Sequence, residues 1–220
     1  MSDNATDNTP DYVRGEKISP GYHRVTFDNP PLNLYDPEVE ARLAEIVEQL
    51  DADPEVKVVV FDSAHPDFFI AHHNIIPGCG GLQRLWQLTG RSRALEIIAS
   101  GDDYDADSAE RYGWINRAVP DAKLDAVVDR FARRLASFDA DALHAVKEIL
   151  NEEAPPPSAA ALAATNERFV RLLTREHVQE RLRLLAKASP EAVYDLELNM
   201  GERIGPTPPP TSRRPSVTWT

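Results

Sequence analysis

An α/β fold with a helical C-terminal region is what this chain predicts, and three stretches carry the prediction. Tyr22 to Phe27 alternates polar and apolar residues and includes Val25, Thr26 and Phe27, which suits a half-buried strand. Asp36-Pro37 then opens a helix, with aspartate at the N-cap and proline at the first helical position. Val39, Leu43, Ile46, Val47 and Leu50 fall on one face of that helix, which stops near Asp51, before Pro54. Val58 to Phe61 is a short continuous apolar run, the pattern of a strand covered on both faces in a parallel sheet.

The remaining elements follow in order. His65-Pro66-Asp67 turns the chain, and Phe68 to Ala71 is a second apolar run. The glycine-rich turn Pro77-Gly78-Cys79-Gly80-Gly81 precedes a helix with Leu82, Leu85, Trp86 and Leu88, ended by Gly90. Ala94 to Ser100 reads as a further helix closed by Gly101. Asp105 is placed to cap a short one ending at Gly113. Trp114 to Val119 reads as a returning strand. Leu124, Val127, Val128, Phe131 and Leu135 mark an amphipathic helix, and Leu143, Val146, Ile149 and Leu150 mark the next. After Pro155-Pro156-Pro157, Ser158 is placed to cap a helix with Leu162, Phe169 and Leu172. Thr174 is placed to cap a last one with Val178, Leu182 and Leu185. From Gly205 the chain is proline-rich and unsuited to helix or sheet.

Composition narrows the function classes. The 220 residues are 42% hydrophobic and 27% charged, ordinary for a soluble globular protein. No run of eighteen apolar residues occurs, so no membrane span is expected. A formal charge of −12 repels phosphate backbones and anionic membranes, so neither is an expected partner. The polar, acidic N-terminus lacks the pattern of a signal peptide, and the single cysteine, Cys79, cannot form an internal disulfide. A reducing, cytoplasmic location is the simplest expectation.

Several local constellations have plain structural explanations. His72 and His73 are adjacent, and neighbours in an extended loop point opposite ways, so one ion rarely takes both; no metal is expected. Cys79 between glycines reads as a small packed residue. Ser63, His65 and Asp67 share only the composition of a triad. Gly78, Gly80 and Gly81 lack the lysine of a phosphate-binding loop. Glu110, Glu152 and Glu153 read as solvated charges.

Longer segments add a family resemblance. Ile76 to Leu85, IPGCGGLQRL, closely resembles the IPG-x-GG-T-QRL segment of the enoyl-CoA hydratase/isomerase (crotonase) family. Ala94 to Pro120, ALEIIASGDDYDADSAERYGWINRAVP, resembles the segment that follows it. Upstream, VTFDNPPLNLYDPEVEARLAEI is similar to the family's first strand, turn and helix, and KVVVFDSAHPDFFIAHHNI to its next strand and the loop ending in F-x-A-G-A-D. Together these cover roughly residues 20–190, and several ordered segments are more specific than one motif.

The resemblance implies a crotonase-like spiral of β-β-α turns with a helical assembly region, acting on acyl-CoA thioesters. In the family two backbone N–H groups hold the thioester oxygen, and carboxylates, often two glutamates, move protons or activate water. By this likeness His73 is the first backbone oxyanion donor and Gly78 lies near the reactive carbon. Ala71, His73, Asn74 and Ile75 would line the substrate. No cofactor is implied beyond the CoA that the substrate carries, and a homo-oligomer, trimer or hexamer, is the expected assembly.

This chain departs from the family between Asn74 and Gly78. Several dozen residues normally stand there, with the second oxyanion glycine, its helix and both glutamates. Here the two positions are four apart, and no glutamate occurs between Glu55 and Glu96. The expected organisation is a flexible leader over 1–20, a core over 21–120 shortened between 74 and 76, a helical assembly region over 121–190 and a Pro-rich tail over 191–220. Hydratase activity is expected to be impaired or lost. The alternative is a non-catalytic subunit, or internally deleted product, that assembles with full-length homologues. Loss of interior strands also leaves Val58 to Phe61 short of ladder partners, so marginal stability or aggregation is expected.

Overall fold

Two units emerge from the computed structural model, which describes residues 11–71 and 80–204. One comprises Met1–His73 and Val119–Pro155, the other Asn74–Ala118 and Pro156–Thr220.

The first unit is built on a three-stranded sheet in the order β1-β2-β3. β1 (Val13–Ser19) and β2 (Tyr22–Phe27) form an antiparallel hairpin. α1 (Pro37–Ala52) carries the chain over to β3 (Val58–Ser63), which runs parallel to β2 from Tyr22 opposite Val58 to Phe27 opposite Ser63. Asp36 caps α1 as expected, its carboxylate accepting from the Val39 N–H at 2.9 Å. Val13, Val25, Phe27, Val39 and Ile46 form the buried core, with Leu43, Leu50, Val59 and Ile70 packed against it. Alternation in the strands and helical spacing in α1 thus converge on one apolar layer. α4 (Asp121–Ala136) packs against β2 and β3, and α5 (Ala140–Glu153) follows.

Two expectations change here. Seven residues of the expected leader over 1–20 are β1, not free chain. Glu16 and Lys17 hid it: they face solvent, while Val13 is fully buried and the backbone is satisfied by pairing with β2. Charges such as these are normal on an edge strand. β3 pairs only with β2 among the described residues, in line with the expected shortage of ladder partners, and Phe61 is 44% exposed rather than covered on both faces.

The second unit is helical. α2 (Gly81–Ser100) is interrupted at Gly90, whose φ of 76° and ψ of 164° break the helix where the sequence places a stop. α3 (Ala106–Arg111) is capped by Asp105, whose carboxylate accepts from the Ser108 N–H at 2.7 Å. α6 (Ala159–Leu173) is capped by Ser158. α7 (Glu176–Leu185), α8 (Pro190–Leu198) and α9 (Met200–Ile204) complete it.

Three further expectations are corrected. Trp114 to Val119 is not a strand. The Trp114 N–H bonds the Ala109 carbonyl at 2.9 Å, and the Ala118 N–H bonds the Glu110 carboxylate at 2.8 Å, so local partners replace a ladder. Glu110, exposed as expected, also staples this loop. Thr174 closes α6 rather than opening α7, its hydroxyl donating to the Arg171 carbonyl at 2.9 Å. The tail expected over 191–220 begins with α8 and α9, because Ser189-Pro190 is a helix start: the Ser189 hydroxyl accepts from the Ala192 N–H. The residues from 205 onward lie outside the described residues.

Candidate functional site

The candidate site is approached by two loops of the first unit, one after β2 and one after β3. Asn33 joins them. It is 2% exposed and sits at φ 56°, a left-handed conformation that asparagine tolerates better than most residues. Its side-chain oxygen accepts from the Asn29 N–H at 2.7 Å. Its amide nitrogen donates to the Ser63 hydroxyl at 2.9 Å and to the Phe69 carbonyl at 2.7 Å. Both donors and the acceptor of the amide are thus used, as a buried polar group requires. Asn29 in turn donates to the Leu34 carbonyl and to Asp36, tying the turn to the start of α1.

The second loop is held just as closely. Ser63 donates to the Phe68 carbonyl at 2.6 Å and accepts from the His65 N–H at 3.0 Å. His65 Nδ1 accepts from the N–H groups of Asp67 and Phe68, and Nε2 lies 3.0 Å from the Pro31 carbonyl. Ser63 and His65 therefore shape the loop and form no catalytic pair.

Ala71 is the one expected substrate-lining residue within the described residues. It is 3% exposed, bridges Leu34 in parallel, and donates its N–H to the Asn33 carbonyl at 3.3 Å. The chain thus enters residues 72–79 from a fixed point. His73, Asn74, Ile75 and Gly78, together with His72 and Cys79, lie outside the described residues.

The framework offers fixed backbone more than proton carriers. Asp28 pairs with Arg14 at 2.6 Å, Asp36 caps α1, and Asp62 pairs with Arg24 at 3.3 Å. Among the described residues, no three His, Cys, Asp or Glu side chains converge as a metal site, and no helix is long and apolar enough to cross a membrane. Sequence reasoning missed Asn33. An asparagine three residues after Asn29-Pro30, in a turn between strand and helix, was the available signal.

Comparisons with known proteins agree with this architecture. The sequence profile of the enoyl-CoA hydratase/isomerase family matches residues 71–190, more than half of the chain. A crystal structure from Streptomyces avermitilis, assigned to the enoyl-CoA hydratases, is 30% identical with a TM-score of 0.79, over 87% of this chain and 95% of that one. An enoyl-CoA hydratase from Bacillus halodurans, at 15% identity, shares the fold with a TM-score of 0.71, over 79% of this chain and 99% of that one. A Rhizobium meliloti protein assigned as an enoyl-CoA hydratase is 35% identical over 107 residues, which is 48% of this chain and 41% of the relative. The chain spans less than half the length of these curated relatives. With its α/β core, helical region and ordered sequence segments, this chain belongs to the enoyl-CoA hydratase/isomerase family.

Proposed function

We propose that this chain engages acyl-CoA thioesters as its family does, with hydratase activity impaired or lost. One observation carries the reading: residues 72–79 alone separate Ala71 from Gly80, and no glutamate occurs between Glu55 and Glu96, where the family resemblance would place the proton-moving carboxylates. The His73 N–H would polarise the thioester oxygen, Ala71, Asn74 and Ile75 would line the ligand, and Gly78 would lie near the reactive carbon. Removing one oxyanion donor costs about 10²–10³ in rate. Loss of positioned acid–base groups costs roughly another 10²–10⁴. The expected hydration rate is therefore close to background. The reading includes a reducing, cytoplasmic location, consistent with the single cysteine, no cofactor beyond CoA, and a homo-oligomer.

Turnover of a short 2-enoyl-CoA by the purified chain tests it. A rate equal to the buffer control is expected. Hydration at the rate of a complete family member contradicts it.

A second reading is favoured by the helices. None of α5, α6, α7 and α8 has a buried residue, and α5 exposes Val146, Ile149 and Leu150 at helical spacing. In this reading the chain is a non-catalytic subunit that joins full-length homologues. Sedimentation of the chain alone and mixed with such a homologue tests it, and a lone monomer in both samples rules it out.

A further inference from the structure

The outer edge of β3 carries an inference that stands apart from any acyl-CoA reading. The Val58 N–H bonds the Gly21 carbonyl at 2.9 Å and the Ala64 N–H bonds the Phe27 carbonyl at 2.9 Å, while the ladder between runs without a register shift. Strand geometry alternates, so Val58, Val60 and Asp62 point their backbone groups at β2, and Val59, Phe61 and Ser63 point theirs away. Among the described residues, the backbone groups of Val59 and Phe61 have no partner. The strand reads Val-Val-Val-Phe-Asp-Ser, with three β-branched residues, no proline and one charge. Such an edge lacks the lysine, proline or bulge that blunts exposed strands.

We infer that this edge pairs antiparallel with β3 of a second copy, about a two-fold axis at Val60. In that register Val59 of one copy faces Phe61 of the other, and each such pair exchanges both N–H···O=C bonds. The edge itself argues for a second copy of the chain as the occupant. Val60 meets Val60, Val58 meets Asp62, and Lys57 meets Ser63, so no like charges face each other across the axis. Asp62 already has Arg24 at 3.3 Å. The odd residues share the α1 side of the sheet, where Val59 packs on the core and Phe61 lies 6.4 Å from Phe27. Pairing extends that apolar layer across the axis and covers Phe61, now 44% exposed. A register centred on Phe61 would place Val59 against Ser63 and Val60 against Asp62, losing the Val59–Phe61 and Val60–Val60 apolar pairs.

The test uses the full-length chain. At high concentration, sedimentation should give twice the monomer mass, and the amides of Val59 and Phe61 should exchange about tenfold more slowly than in dilute protein. Val60→Cys in a Cys79→Ser background fixes the register. Residues opposite each other at a non-hydrogen-bonded site have Cα atoms about 4.5 Å apart, within disulfide reach, so oxidation should yield a covalent dimer. Val58→Cys should not, because its copies stand about 13 Å apart along the strands, four residues at the strand rise. Phe61→Pro removes the outward N–H together with the half-exposed ring, takes no ladder bond from β2, and should return the chain to monomer with the sheet retained. A monomer at all concentrations overturns the inference. So do Val59 and Phe61 amides protected regardless of concentration, which would mean that a segment of the same chain covers the edge. A dimer that cross-links through Val58→Cys, or that survives Phe61→Pro, overturns it as well.

Discussion

At the scale of single residues, buried Asn33 matters most to the candidate site, because it holds both loops at once. Truncation in Asn33→Ala leaves the Phe69 carbonyl and the Asn29 N–H without their partner and puts alanine at φ 56°. Each orphaned buried group costs about 1–3 kcal/mol, so a loss of roughly 2–4 kcal/mol is expected in urea unfolding. Asn33→Gly relieves the backbone but not the lost bonds, and should fall between the two. Asp105 supplies a pH signature. Its hydrogen bonds to Ser108 hold its carboxyl below the ordinary aspartate value. The folded state thus favours the charged form, so this contribution is present above the unfolded pKa and fades as pH falls through the lowered folded one. Asp105→Ala should lower the melting temperature near neutral pH and change it little at strongly acid pH, as a thermal scan against pH would show.

The elements differ in what the chain discloses locally. Asp36, Asp105 and Ser158 are local start signals, and each caps a helix as the sequence predicts. β2 and α1 were legible because their apolar periods match their own geometry. β1 was not, because its hydrogen bonds come from a strand across the hairpin and its middle residues face water. α8 carried a readable Ser-Pro start that the neighbouring proline-rich tail obscured. The turn after Asn29-Pro30 was a local hint of Asn33, but its partners Ser63 and Phe69, thirty or more positions away, were not legible. The roles of His73 and Gly78 came from family likeness, since no spacing within residues 72–79 specifies an oxyanion donor. At the entry to α2, Gly80 has φ 84°, and a Cβ there would meet Leu162 Cδ2 at 2.5 Å. Gly80→Ala should destabilise the helical unit by about 1–2 kcal/mol, read as a lower midpoint in denaturant melting of the helical signal.

For the whole molecule, the proposed function requires a scaffold that is kept without a proton relay. The first unit retains the sheet, α1 and the Asn33 staple that fix Ala71, while the chain runs from Ala71 to Gly80 through eight residues only. α5 exposes apolar side chains, and β3 pairs on one edge only among the described residues. Marginal stability follows, and a broad thermal transition with low calorimetric enthalpy per residue is expected, whereas a sharp two-state melt would count against it.

The most direct measurement is exchange of the acyl α-hydrogen of a saturated short-chain acyl-CoA in heavy water, which detects proton transfer even where water addition fails. Deuterium incorporation no faster than in buffer alone is expected, together with measurable binding of the same thioester. Rapid incorporation that disappears on substituting one aspartate or glutamate of this chain would contradict it, because a working carboxylate would then be in place.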